Sequence, residues 1–398
     1  MTQRLMPSVW RAMRVGDLTT KVGSGVTPKG GREAYLENGV TFIRSQNVLV
    51  GRLDFSDVAY ISREMHSQMG GSIVRPGDVL LNITGASIGR SAVVPVSCGE
   101  ANVNQHVCIL RANEHVEPYY LMTVFNSRLG KRLIYESQAG GNREGLNFEQ
   151  IRSFKIPTPS RIEQQLLIKI FMAWDHSIEL SEQLIESKLI YKRELIQELI
   201  DSGQKGTAAA KLGELFKNRK TKGRSGLPTF SVTMNAGLVR RDSLDRKSET
   251  TLGPEQHLLI EEGDIAYNMM RMWQGASGLA TEAGLVSPAY VVIRPRGKVD
   301  PAFASYWFKM PRVVKKFQDY SHGLTKDRLR LYFKDFATIA LPLPPLKLQQ
   351  QIAEAMQCCD SELDVLERKV ALLKQQKKGL MQQLLTGKTR VKLPKGAA

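Results

Sequence analysis

The stretch RIEQQLLIKIFMAWDHSIELSEQLIESKLIYKRELIQELID, residues 161–201, decides the architecture because the chain contains a related stretch near its other end. That second stretch, KLQQQIAEAMQCCDSELDVLERKVALLKQQKKGLMQQLLT, occupies residues 347–386, and its pair Gln350-Gln351 matches Gln164-Gln165 at an offset of 186 residues. A repeat at nearly half the chain length is too long for a solenoid. It predicts an internal pseudo-two-fold repeat in which each copy is a globular region followed by a long helix.

The second copy carries apolar residues at alternating intervals of four and three, which is typical of the contact seam of a coiled coil. Its predicted contact residues are Ile352, Met356, Leu363, Leu366, Val370, Leu373, Leu380 and Leu384. The same frame in the first copy selects Leu180, Leu184 and Tyr191. At roughly 1.5 Å per residue, about 40 residues give rods of about 60 Å, much longer than an ordinary helix. We predict that the rods pair as an antiparallel coiled coil; the alternative is two core helices of an ordinary bundle.

The predicted fold class is α+β, with two mixed α/β globular domains that each precede one of these helices. The predicted divisions are 1–158 (first domain), 159–203 (central helix), 204–344 (second domain), 345–386 (distal helix) and 387–398 (basic tail). Proline-rich links, IPTPS and LPLPP, end the two domains, and proline is well suited to the start of a helix. Within the domains, short β segments alternate with Gly, Pro, Asn and Asp, and a Gly-Asp turn precedes a strand in both copies.

The net charge of +17 is unevenly distributed. Residues 1–158, 204–344 and 345–398 have net charges of +5, +10 and +5, whereas residues 159–203 have −3. Basic domains joined by a non-basic helix suggest two contact points on a polyanion; the alternative is a generally basic protein. A long apolar run and a signal-peptide core are both absent from the sequence, which predicts a cytoplasmic protein without a membrane segment.

Motifs for chemistry are missing. The sequence has neither the Asn/Asp-Pro-Pro-aromatic motif nor the glycine-rich cofactor loop expected of an amino-methyltransferase. Gly387-Lys388-Thr389 resembles the end of a phosphate-binding loop, but Gln382 stands where the first glycine is required. The acidic residues around Glu367 lie on the predicted rod, and the four cysteines lack metal-ligand spacing. The chain is therefore predicted to be non-catalytic, with no cofactor or metal of its own.

The order of globular domain, proline-rich link and Gln-Gln-bearing helix, occurring twice, resembles the specificity (S) subunit of type I restriction-modification systems over essentially the whole chain. The most specific motifs are FIRSQNV (42–48), NITGASIGR (82–90), NVNQHV (102–107), YNMMRMWQGA (267–276), SPAY (287–290) and SHGLTKDRLR (321–330). One departure is that the family's Glu-Gln-Gln, present at 163–165, appears as Gln-Gln-Gln at 349–351.

The resemblance implies that each globular part is a target recognition domain for one half of a bipartite, asymmetric site in double-stranded DNA. It implies that the helices set the gap between the halves and carry two methyltransferase (M) subunits, which restriction (R) subunits join in phage defence. The partners would bind S-adenosylmethionine for adenine methylation, on a base flipped into their pocket, and ATP and Mg for restriction. Two other hypotheses remain: a self-contained DNA endonuclease or methyltransferase, and a coiled-coil adaptor without sequence specificity.

Candidate DNA contacts follow from side-chain chemistry, because Arg pairs with guanine, Asn or Gln pairs with adenine, and Lys contacts phosphate. In the first domain the candidates are Arg44, Ser45, Gln46, Asn47, Thr84, Ser87, Arg90, Asn104, Gln105, His106, Asn142 and Arg143. Asn82, Gly85 and Gly89 are expected to form a structural turn.

In the second domain the candidates are Asn268, Arg271, Met272, Trp273, Gln274, Tyr290, Ser321, His322, Thr325, Lys326 and Arg328. Trp273 is either a core residue or a wedge. A dense basic run is interpreted as a phosphate clamp or, equally, as a solvated loop; it comprises Lys217, Arg219, Lys220, Lys222 and Arg224.

Overall fold

The computed structural model describes residue 7 and residues 10–28, 30–138, 145–243, 252–325 and 328–394. The chain divides into two compact units: unit 1 is Met1–Ser181 with Lys369–Ala398, and unit 2 is Glu182–Arg368. This division differs from the predicted domains because each long helix contributes one part to each unit.

Unit 1 consists mainly of short strands. The strands are β1 (Arg11–Arg14), β2 (Thr19–Ser24), β3 (Val40–Ile43), β4 (Ala59–Ile61), β5 (Val79–Asn82), β6 (Ser91–Val93), β7 (Ala101–Val103), β8 (Val107–Ala112) and β9 (Lys155–Thr158). The helices are α1 (Arg63–Gln68), α2 (Pro118–Asn126), α3 (Arg128–Gln138), α4 (Phe148–Ser153) and the first part of α5 (Arg161–Gln204).

The centre of unit 1 is an antiparallel sheet in the order β2-β8-β5-β6. Beside it lie a three-stranded sheet, β4-β3-β7, and the antiparallel pair of β1 with β9. All of β5 is buried, and successive side chains point to opposite faces of a strand. Val79 and Leu81 therefore enter one apolar core while Leu80 enters another.

Unit 2 contains strands β10 (Ala209–Lys211), β11 (Phe216–Arg219), β12 (Phe230–Val232), β13 (Leu238–Arg240), β14 (Leu258–Ile260), β15 (Ile265–Asn268), β16 (Ser277–Leu279), β17 (Gly284–Val286), β18 (Tyr290–Pro295) and β19 (Ala340–Pro342). Its helices are α6 (Leu212–Leu215), α7 (Pro301–Trp307), α8 (Pro311–Asp319), α9 (Phe333–Thr338) and most of α10 (Leu346–Leu384), together with the end of α5.

The sheet order β11-β18-β15-β16 in unit 2 matches that of unit 1, strand for strand. In both units the same turn leads into the central strand: Gly77 and Gly263 have φ of 87° and 82°, a left-handed conformation that glycine adopts without steric cost. In the next position, Asp78 and Asp264 accept a backbone hydrogen bond from three residues earlier. The predicted α+β class and internal repeat are confirmed.

The two long helices run antiparallel within each unit. In unit 1, Lys377 of α10 forms an ion pair with Asp175 of α5. In unit 2, Lys188 lies 2.6 Å from Glu362, and Lys192 pairs with Asp360. Residues later in α5 pair with residues earlier in α10, as antiparallel helices require.

The seam of α10 contains the apolar residues that its sequence pattern selects. Buried on it are Ile352, Met356, Leu363, Val370 and Leu384, and half-buried are Leu366, Leu373 and Leu380. On α5 the buried and half-buried positions at matching intervals are Leu167, Phe171, Trp174, Ile178, Ser181, Ile185, Lys188 and Lys192. Six of these precede a residue of the α10 series by 185 residues, and Trp174 and Lys192 precede the half-buried Cys359 and Lys377 by the same number.

The contact residues predicted for the first helix were wrong by one position. Leu180, Leu184 and Tyr191 are 50%, 44% and 58% exposed and lie beside the seam. The offset of 186 placed them on the seam instead of Ser181, Ile185 and Lys192, which are buried or half-buried there together with Lys188. Those lysines can pack their alkyl chains against the partner helix while their ammonium groups reach carboxylates. The internal offset in the helices is consequently 185, so Glu163 corresponds to Leu348. The departure from the family's Glu-Gln-Gln therefore lies at Leu348 and not at Gln349.

Candidate nucleic-acid interface

Asn82, at the end of β5, brings together sequence motifs that are far apart in the chain. Its side chain is fully buried, and its amide nitrogen donates to the Ser45 carbonyl at 2.8 Å and to the Ser87 hydroxyl at 3.1 Å. The backbone N–H of Asn104 donates to the Ile43 carbonyl at 3.1 Å. The three first-domain motifs therefore converge at one end of the central sheet, and Asn82 is structural, as its expected turn role requires.

A second set of hydrogen bonds in unit 1 links the polar side chains of these motifs. Thr84 Oγ1 lies 2.7 Å from His106 Nδ1, and Gln105 Nε2 lies 2.9 Å from His106 Nε2. Both ring nitrogens of His106 are therefore engaged. The end of the following polar loop is fastened here too, because the Leu146 N–H donates to the Ile83 carbonyl at 2.9 Å. Asn142 and Arg143 lie outside the described residues.

We use the name first polar edge for the predicted contact residues that meet here and keep an exposed or half-buried side chain. They are Arg44, Ser45, Gln46, Thr84, Ser87, Arg90, Asn104, Gln105 and His106. Within this edge, Gln46 and Arg44 both reach Asp57, at 2.8 and 3.4 Å. An exposed acidic partner of this kind holds the two side chains at the surface without burying them.

Asn47 is not a candidate for base contact, contrary to the prediction. It is 2% exposed, and its amide donates to the carbonyls of Asp54 and Asp57 at 3.0 and 2.8 Å. Its side-chain oxygen accepts from the Arg44 N–H at 2.9 Å. These bonds hold the turn Ser45–Asn47 in shape, so Asn47 positions Gln46 without itself facing outward.

Unit 2 gathers its motifs at the corresponding end of its sheet. Asn268, the last residue of β15, pairs in register with Tyr290 of β18. The Leu331 N–H donates to the Met269 carbonyl at 2.9 Å, which repeats the bond that Leu146 makes in unit 1. The second polar edge consists of the exposed or half-buried predicted residues Asn268, Arg271, Trp273, Gln274, Tyr290, His322, Thr325 and Arg328.

Two predicted contacts of unit 2 are core residues. Met272 is fully buried and belongs to the main apolar cluster. Ser321 is 9% exposed and donates to the Phe317 carbonyl at 2.6 Å. Trp273 is half-buried, and its indole N–H donates to the Met270 carbonyl at 3.0 Å, so its ring is held by its own turn. Lys326 lies outside the described residues.

Arg219, predicted as part of a phosphate clamp, forms a partly buried ion network. Its side chain is 11% exposed and lies 2.7 Å from both Asp264 and Glu261. Burial raises the pKa of Asp264, and the backbone N–H of Glu261 and the Arg219 guanidinium oppose that rise. The other four cations of the run are all exposed; they are Lys217, Lys220, Lys222 and Arg224. The run begins on the edge strand β11, whereas the alternative hypothesis placed it in a solvated loop.

Lys309 is a residue that sequence analysis missed. Its ammonium group donates to the Gly275 carbonyl at 2.6 Å and to the Met234 carbonyl at 3.3 Å. Desolvation lowers the pKa of Lys309 to about 8. It fastens the turn that carries Arg271 and Gln274. Nothing in the local sequence marks it, because both acceptors are backbone atoms from distant segments.

The described residues offer neither a metal cluster nor a membrane helix. Within the described ranges, no group of three or more His, Cys, Asp or Glu side chains is placed to hold a metal ion. Likewise, the described helices include none that is both long and apolar enough to cross a membrane.

Comparison with known proteins assigns the family. A family model for the type I restriction modification DNA specificity domain matches residues 7–187 and 208–375. A Methanocaldococcus jannaschii chain with the provisional name type I restriction enzyme MjaX specificity subunit is 22% identical, over 97% of this chain and 95% of its own.

Two solved structures share the fold. The HsdS subunit from Thermoanaerobacter tengcongensis has a TM-score of 0.53 at 18% identity, covering 96% of this chain and 98% of its own. A chain from a study of complex assembly and conformational transition of the type I R-M system has a TM-score of 0.62 at 16% identity, covering 95% and 98%. With both halves matched by one family model, the chain belongs to the type I restriction-modification specificity subunits.

Proposed function

We propose that this specificity subunit binds double-stranded DNA at a bipartite, asymmetric site, with each polar edge recognising one half. The observation that carries the proposal is that both units share one sheet order, one Gly-Asp turn and one backbone hydrogen bond, from Leu146 to Ile83 or from Leu331 to Met269, but expose different side chains. A repeated scaffold with unlike contact residues is suited to two unlike sequences. Arg, Gln and Asn side chains at such edges can form bidentate bonds with bases.

We further propose that the long helices carry two methyltransferase subunits, which restriction subunits join. In unit 2, α5 exposes two apolar side chains that lie two turns apart on one face of the helix; they are Leu184 and Tyr191, 44% and 58% exposed. Exposed apolar groups of this kind mark protein contact surfaces. S-adenosylmethionine, ATP and Mg would be bound by those partners.

Methylome sequencing of the host, with and without the gene, tests the proposal. We expect methylated adenines within one bipartite motif to disappear when the gene is deleted and to return with the wild-type gene. Unchanged methylation would contradict the proposal. Two assays address the alternatives. Methyl transfer by the purified chain alone would favour a self-contained enzyme. Equal competition by unrelated DNA, in complex with the methyltransferase, would favour a non-specific adaptor.

A further inference from the structure

A cleft of about 630 Å³ lies in unit 1 between the start of α3 and the C-terminal part of α10. The described residues that line it include six basic side chains and no acidic one; the basic residues are Arg128, Lys131, Arg132, Lys374, Lys377 and Lys378. Concentrating one sign of charge in a concave surface attracts counter-ions strongly, because the low-dielectric walls focus the field. The cleft therefore favours an anionic ligand.

Lys377 and Arg132 have acidic neighbours outside the cleft. Lys377 pairs with Asp175, and Arg132 lies 3.7 Å from Glu136. Both pairs include side chains with substantial solvent exposure, and exposed pairs neutralise little of the local potential. Arg128 and Lys131 from α3 and Lys378 from α10 are exposed, so both walls present cations to solvent.

The cleft adjoins the first polar edge. Asn126, which lines it, exchanges two hydrogen bonds with the Ser91 backbone, at 3.1 and 2.8 Å. Ser91 directly follows Arg90 of that edge. On the same side, a Cβ on Gly89 would lie 2.9 Å from the Ile134 side chain of α3, so α3 packs closely against the segment that ends in Arg90.

From this position and charge we infer that the cleft binds the phosphate backbone of DNA next to the half-site recognised by unit 1. The inference rests on the proposed function. A duplex held at the first polar edge continues past it as a regular row of phosphates, about one charge per 1.7 Å of helix axis. Lysine and arginine side chains that contact phosphate add affinity and fix register without adding sequence information. An acidic segment of a partner protein is the competing occupant, and the test separates the two.

The test uses the complex of the chain with its methyltransferase partner. The variant Lys131→Gln/Lys378→Gln removes one exposed cation from each wall. Its matched control, Lys155→Gln/Lys169→Gln, removes two exposed cations of unit 1 that do not line the cleft. Dissociation constants are measured over a range of salt concentrations for a duplex with the methylated motif and for an unrelated duplex.

We expect the cleft variant to bind both duplexes more weakly by the same factor. Its plot of log K against log salt should become shallower by about 0.9 for each phosphate that the protein no longer neutralises, while the control keeps the wild-type slope. Replacing phosphates beside the half-site with neutral methylphosphonates should lower the affinity of the wild type for the duplex but leave that of the cleft variant unchanged. This difference would locate the site of phosphate binding.

An unchanged salt slope in the cleft variant would overturn the inference. Loss of methyltransferase association with an unchanged slope would also overturn it and would identify an acidic protein segment as the occupant. If the wild-type complex binds the two duplexes equally well, the proposed function is contradicted. This outcome differs from an unchanged salt slope, so failure of the proposed function can be told apart from failure of the inference.

Discussion

Gln164 and Gln349 make the same hydrogen bonds at positions 185 residues apart. The side-chain oxygen of Gln164 accepts from the Glu117 N–H at 2.8 Å, and that of Gln349 accepts from the Asp300 N–H at 2.9 Å. Each amide nitrogen donates to a carbonyl of the proline-rich link, Pro159 at 2.9 Å or Pro344 at 2.7 Å. Each glutamine thus ties the start of a long helix to the start of the helix that follows the sheet.

Replacing either glutamine should destabilise its own unit. Both side chains are almost fully buried, so Gln164→Ala or Gln349→Ala leaves backbone groups without partners. We expect a loss of about 2–4 kcal/mol of unfolding free energy. The matched controls Gln165→Ala and Gln350→Ala remove exposed neighbours and should change it by about 0.5 kcal/mol or less. Urea unfolding measures the difference, and equal losses in variant and control would contradict the clamp.

The polar edges predict changes in specificity. Gln46 and Arg271 are candidate base contacts of different units, and Gln46→Ala or Arg271→Ala should each reduce discrimination at one position of a different half-site by about 1–3 kcal/mol. Competition binding with single-base variants of the motif measures this. Gln68→Ala, at another exposed glutamine of unit 1, should leave discrimination unchanged. Equal weakening on every sequence would make the tested residue a phosphate contact.

The exposed apolar group on α5 predicts partner binding. Leu184→Gln with Tyr191→Gln should lower co-purification of the methyltransferase several-fold, because the side chains lie outside the helix seam and the apolar area removed belongs to the contact surface. The melting temperature should stay close to wild type. Glu186→Gln, an exposed change on the same helix, serves as the control. If the double variant co-purifies as much methyltransferase as the wild type does, this surface is not part of the proposed interface.

We also propose that the helix pair sets the gap between half-sites, as the resemblance to specificity subunits implies. Insertion of four residues after Glu186 in α5 and after Val365 in α10 adds about 6 Å to each helix, and coiled coils accommodate four-residue insertions by local unwinding. Base pairs rise about 3.4 Å, so the unread gap should grow by one or two base pairs, as methylome sequencing would show. Methylation only at the original spacing would contradict this role.

Similarity between two stretches predicted the repeat, turn residues predicted the short β segments, and intervals of three and four predicted the seam of α10, because all three are local properties of the chain. The sequence also selected motifs that the structure brings together at one end of each central sheet, and their contact with DNA stays a prediction. It did not distinguish Asn47, Met272 and Arg219 from their exposed neighbours. Met272 is buried by apolar packing and Arg219 is half-buried against carboxylates from later in the chain, while Asn47 is buried by hydrogen bonds to carbonyls seven and ten residues away.

Sequence by itself determined that two matched domains and two matched helices form this protein, since both copies retain their local patterns. Only the tertiary structure decided the register between the copies. The pair Gln164-Gln165 matches the three glutamines at 349–351 at an offset of either 185 or 186, but buried amides are held by hydrogen bonds that must be satisfied. The bonds of Gln164 and Gln349 select 185, and that choice places Lys188 and Lys192 on the seam, where ion pairs make it possible.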